Sequence, residues 1–141
     1  MARWFVDKHD FAVHNCENNR FDVEVTTMAD GYFISPDDAT QVEMLPGVHR
    51  RTMGVTDEVM LCEILLLRGS EVPAHQHLND QVGYVIYGRI ELTVGDETRI
   101  IGRGASYAIP GGLTHSARAL VDTLVIDAFS PPREDYRTEA R

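Results

Sequence analysis

"PAHQHLNDQVGYVIYG", residues 73–88, sets His75 and His77 one residue apart and Gln81 four further on, then runs into an apolar, aromatic-rich segment that stops at Gly88. On a strand, side chains two apart leave the same face, so the two imidazoles can point together. Leu78-Asn79-Asp80 has turn composition, so Gln81 is expected to open the returning strand of a hairpin, opposite the histidines. Further on, "GASYAIPGGLTH" (104–115) delivers His115 just after a glycine turn. Three imidazoles and one amide oxygen can therefore meet at one barrel mouth, a donor set that suits several divalent transition ions.

Around this stretch the chain reads as short strands separated by turn signals, the pattern of an all-β sandwich or barrel. "VMLCEILLL" (59–67) and "QVGYVIY" (81–87) are apolar on both faces, as strands covered on each side are. "RIELTV" (89–94) alternates apolar and polar residues and reads as half-exposed. "TRII" (98–101), "ASYAI" (105–109) and "TLVIDAF" (123–129) complete the set, and "SPPRED" (130–135) ends it, because paired prolines cannot serve a central ladder. "RGSEVP" (68–73) reads as a break. "SPDDATQVEML" (35–45), with Ser35 before Pro36 and acids in the first turn, reads as a short helix.

The whole sequence has 141 residues and a net charge of -9, enough chain for one domain with a real core. No Lys/Arg cluster exists, so nucleic acid is not an expected partner. No segment approaches the roughly 20 apolar residues of a membrane span, and the N-terminus lacks an apolar signal core. Cys16 and Cys62 fit no paired motif and read as reduced thiols of a cytoplasmic protein. His9, His14 and His49 read as surface or hydrogen-bonded histidines.

The spacing on both sides of the histidine pair resembles the cupin family. Gly69, five residues, His75, one residue, His77, three residues, Gln81, six residues and Gly88 match the first cupin motif, with Gln81 where that motif has a glutamate. Gly104, five residues, Pro110, one residue, Gly112, two residues and His115 match the second, with Ala119 where it has an asparagine. The resemblance implies a single cupin (double-stranded β-helix, jelly-roll) barrel over 46–135. An N-terminal arm or extra strands over 1–45 would pack on it, and 136–141 would form a short tail. It also implies one divalent transition metal (Zn, Ni, Fe or Mn) on His75, His77, Gln81 and His115.

Gln81 alters the expected chemistry. A carboxylate ligand cancels one positive charge of a divalent ion, whereas an amide oxygen cancels none. Full charge favours the lower oxidation state and strengthens polarisation of bound oxygens, as when zinc lowers the pKa of water from about 16 to near 7. The donor set thus points away from dioxygenase chemistry and towards an oxygenated substrate.

"HLNDQVGYVIYGRIELTVGDE" with "DAFSPPRED" is further similar to the pectin-degradation cupins, which ketonise unsaturated uronates. The resemblance implies catalytic roles for Asp127, Phe129 and Arg133. Asp127 and Phe129 share a face of the last strand, and the stiff Pro131-Pro132 pair can return Arg133 over the rim. Arg51 is the expected helper in binding a substrate carboxylate. Tyr84 and Tyr87 have opposite parity on their strand, and Tyr87 is taken as the cavity-facing one. The expected partners are a small anionic substrate and a second copy of the chain, since a lone barrel would expose one apolar face of 59–67 and 81–87. A dioxygenase and a non-catalytic small-molecule-binding cupin are the alternative functions.

Overall fold

The computed structural model describes residues 32–137, so the expected arm is seen only from 32 onward, and Cys16, His9 and His14 lie outside the described residues. Ten strands follow in order: β1 Gln41–Leu45, β2 Val48–Val55, β3 Met60–Leu66, β4 Glu71–His75, β5 Asp80–Tyr87, β6 Arg89–Val94, β7 Glu97–Gly102, β8 Ser106–Ile109, β9 His115–Ala119 and β10 Thr123–Ser130. A short helix, α1 (Glu134–Arg137), closes the described chain. All pairings are antiparallel and form two sheets, β1-β2-β3-β10-β5-β8 and β4-β9-β6-β7. The fold is an all-β jelly-roll barrel.

Three expectations are corrected. Only Pro36–Asp38 of the helix expected over 35–45 is helical, one 3-10 turn held by Ser35 and Asp38. Residues 41–45 form β1, with Val42 and Met44 sharing one parity. The "RGSEVP" break contains the start of β4; its Pro73 is tolerated because β4 is an edge strand. Finally, β4 and β5 do not form a hairpin: the chain crosses at Gln76–Asn79 from the four-stranded sheet to the six-stranded one.

Alternation builds the core. Met60, Cys62, Ile64 and Leu66 of β3 face inward, as do Thr123, Val125, Asp127 and Phe129 of β10, Gln81, Gly83 and Val85 of β5, and Ile90 and Leu92 of β6. The opposite parity of β3 and β5 stays open on this chain: Leu61, Val82, Tyr84 and Ile86 are exposed, Val82 at 55%. Cys62 is a fully buried free thiol whose pKa burial pushes up to about 11, so it behaves as an inert core residue. Among the described residues no helix is long and apolar enough to cross a membrane.

Gly88 has to be glycine. It joins β5 to β6 at a φ of 93°, and a methyl group there would overlap the Thr123 hydroxyl and the Asp122 carbonyl. Backbone strain and overlap together cost roughly 2–5 kcal/mol. Gly88→Ala is therefore expected to lower the melting temperature by on the order of 10 °C. A change within a degree or two in a thermal scan contradicts this account of the turn.

Candidate metal centre

The three histidines come from β4, the loop that follows it and β9, which meet at one mouth of the barrel. His75 ends β4 and stands in register with His115, which opens β9. His77 lies two residues beyond β4, and its carbonyl accepts a 2.7 Å bond from the Gly112 backbone. Asp80 accepts from the Gly111 backbone at 2.8 Å, and the Asn79 amide donates to the Pro131 carbonyl at 2.6 Å. The loop after β4 is thereby tied both to the glycine turn before β9 and to the chain leaving β10.

Ring centroids lie 4.2 Å apart for His75 and His115, 5.0 Å for His77 and His115, and 5.7 Å for His75 and His77. One nitrogen of each falls within 4.8 Å of the others, so the three can hold a single metal ion.

Hydrogen bonds choose the tautomers. Each Nδ1 sits against a backbone carbonyl two residues away: His75 on Pro73 at 2.9 Å, His77 on Asn79 at 3.0 Å, His115 on Leu113 at 2.9 Å. A carbonyl only accepts, so each Nδ1 carries the proton and each Nε2 keeps its lone pair. Burial holds His77 and His115 below the ordinary imidazole range, with Arg133 contributing, so both are neutral at pH 7.

Gln81, at the start of β5, is buried, and its Oε1 lies 3.2 Å from His77 Nε2. On its other side is the Asp127 carboxylate, which the Gln81 side chain stabilises in its charged form. A carboxylate only accepts, so the amide nitrogen is assigned towards Asp127 and the amide oxygen towards His77. That leaves two lone pairs facing each other, an arrangement that a shared cation relieves. The donor set therefore fits a metal. It also explains the glutamine physically: a glutamate here would put a second carboxylate against buried Asp127.

Asp127 is only 5% exposed. Burial raises its pKa from the ordinary 3.8 to about 6, against hydrogen bonds from Tyr107 and Gln81 that favour the charge. It is mostly ionised at neutral pH, yet its protonated form is close in energy. Phe129, two residues on, packs edge-on to His77 at 5.7 Å. Arg133 lies over the ring of Phe129 and, at 4.1 Å, over Tyr136. Its guanidinium forks onto Asp135 at 2.7 and 3.2 Å. His75, Gln81, His115, Asp127, Phe129 and Arg133 all line one cavity.

Two expected site residues are not there. Arg51 points to the outer face, paired with Glu63 at 3.5 Å and Gln41 at 3.0 Å, because the buried parity of β2 belongs to Val48, Arg50 and Thr52. Arg50 is the inward arginine, 3% exposed and stacked on Tyr136 at 3.9 Å. Tyr87 shares the parity of Gln81 and Val85 by count, but a bulge intervenes. Val125 pairs with Val85 and Leu124 with Tyr87, which turns Tyr87 outward beside Arg51. Tyr84 is outward as well. Tyr107 and Tyr136 also line the cavity, and as isolated tyrosines they carry no spacing signal in the sequence.

Residues 63–126 match the Cupin domain family. The chain is 32% identical over 108 residues to the pectin degradation protein KdgF of Dickeya dadantii, spanning 74% of this chain and 96% of that relative. Among solved structures it resembles KdgF from Halomonas sp. at 34% identity and a TM-score of 0.71, covering 75% of this chain and 98% of that one. It also resembles an RmlC-like cupin from Shewanella frigidimarina at 28% identity and a TM-score of 0.72, covering 76% and 96%.

Proposed function

This chain belongs to the cupin family, and on that premise we propose that it is a metal-dependent enzyme that opens and ketonises an unsaturated sugar acid. One observation carries the reading: three Nε2 lone pairs and an amide oxygen converge beside a buried carboxylate, with an arginine in the same cavity. The relative named as a pectin degradation protein, with the sequence resemblance to the pectin-degradation cupins, supports the substrate class.

His75, His77, His115 and Gln81 would hold one divalent transition ion (Zn, Ni, Fe or Mn). When bound, such an ion supplies Lewis acidity that polarises a substrate oxygen. Its four uncharged ligands leave that charge uncancelled, which disfavours the dioxygenase alternative.

Asp127 moves the proton. As carboxylate it takes the proton of the anomeric hydroxyl while the bond from the anomeric carbon to the ring oxygen breaks. The electrons released leave an enolate on that oxygen. The proton then returns to the enol carbon, giving a ketone and an aldehyde with no net loss of atoms. A pKa near 6 suits a group that must both take and give a proton near neutrality. Arg133 pairs with the substrate carboxylate, a fork-to-fork contact that its present bond to Asp135 rehearses. Phe129 lines the sugar face.

A second copy of the chain is the proposed partner on the open face of the large sheet, where Leu61, Val82, Tyr84 and Ile86 are exposed. A free buried thiol at Cys62 fits a reducing compartment such as the cytoplasm.

The test is direct. Metal-loaded protein incubated with an unsaturated monouronate should remove the enol absorbance at a rate proportional to enzyme. No loss under those conditions discards the uronate assignment.

A further inference from the structure

β8, β5 and β10 are neighbours in the large sheet, and one straight row crosses them: Tyr107 opposite Gly83, and Gly83 opposite Asp127. Strands lie about 4.8 Å apart, so Tyr107 and Asp127 start about 10 Å from each other. Residues so separated do not ordinarily touch. Here the phenol lies flat across the middle strand and donates to Asp127 Oδ1 at 2.7 Å. The bridge exists because the middle residue has no side chain: a methyl group at position 83 would overlap the Tyr107 ring and its hydroxyl.

We infer that Tyr107 is a positioning residue that sets the orientation of the Asp127 carboxylate, and that Gly83 is glycine so that the phenol can reach it. This rests on the reading of Asp127 as the proton-transfer group. A lone buried carboxylate has rotational freedom about its terminal torsion. Tying Oδ1 to Tyr107 on one side, with the Gln81 amide on the other, fixes the carboxylate plane. Burial and the nearby Asp127 push the phenol pKa well above its ordinary value, so the hydroxyl stays a neutral donor and does not itself compete for the proton.

Two variants test this in the full-length protein. Tyr107→Phe keeps the ring and removes the donor. Gly83→Ala keeps the donor and pushes it aside. Both should lower kcat by roughly 10–100-fold, by analogy with hydrogen-bond partners that orient metal-ligating side chains. KM for the unsaturated uronate should stay within about twofold, and metal content should match the parent. Crystal structures of both variants should show the Asp127 carboxylate turned from its parental orientation. Unchanged kcat in Tyr107→Phe, or an unmoved carboxylate in both variants, overturns the inference. If the parent protein turns over no uronate, the uronate reading fails alone, and the carboxylate orientation in the two structures decides this one.

Discussion

Asp127→Asn should lower kcat on an unsaturated uronate by roughly 10²–10⁴-fold, the contribution of a well-placed proton-transfer group. Asparagine has nearly the same shape, and its carbonyl oxygen can still accept from the Tyr107 hydroxyl, which donates to Oδ1 at 2.7 Å, although its amide nitrogen no longer accepts from Gln81. What it cannot do is take up a proton. KM should change little, since Asp127 is not assigned to holding the substrate. The fold should survive, because an ionised carboxylate only 5% exposed is a cost to the folded state. The sign can be followed with pH in metal-stripped protein. The folded pKa of Asp127 is about 6, above its ordinary 3.8, so the folded chain is penalised for ionising it. The stability difference therefore moves in favour of the variant as pH rises from about 4 to about 6, and levels off above. Retained turnover in Asp127→Asn contradicts the mechanism. Retained ligand affinity in a parent protein that never turned over would instead indicate a binding cupin.

His115→Ala is expected to weaken metal binding by at least about 100-fold, more than the loss of a residue that merely supports a ligand. His115 is buried and stands in register with His75, and among the described residues no other His, Cys, Asp or Glu belongs to the cluster. Activity should fall to background. A second readout does not depend on activity. Metal at 100 times its dissociation constant stabilises the parent by about 2.7 kcal/mol, which a thermal scan sees as an upward shift. In His115→Ala at the same metal concentration the stabilisation should fall to about 0.4 kcal/mol or less, so most of that shift should be lost. His49→Ala, on β2 and outside the cluster, should leave it intact. An equal shift in the His115 and His49 variants contradicts the proposed ligand set.

The histidine cluster and its neighbour Gln81 were legible in the sequence for a physical reason. His75, His77 and Gln81 lie within seven residues, and His115 follows a glycine turn, so local geometry carries most of the information. Asp127, Phe129 and Arg133 were legible from strand parity, a stiff proline pair and the family resemblance. Register-dependent features were not legible. Tyr87 failed because one bulge in β5 reverses parity, and no residue type announced it. Two adjacent arginines look alike in sequence until the buried side of β2 is known, and that side holds Arg50 and leaves Arg51 outside. The contact between Tyr107 and Asp127 needs three strands in one register. The expected hairpin failed because the chain changes sheet between β4 and β5, so nearness in sequence between these two strands is not pairing.

The measurement closest to the central claim is the metal content of the purified, unaltered protein, taken together with anomalous scattering from its crystals. We expect one divalent transition ion per chain, with density bonded to Nε2 of His75, His77 and His115 and to the Gln81 amide oxygen. A protein that carries no ion after growth and dialysis with each candidate metal contradicts the account. So does an ion that sits away from these four side chains.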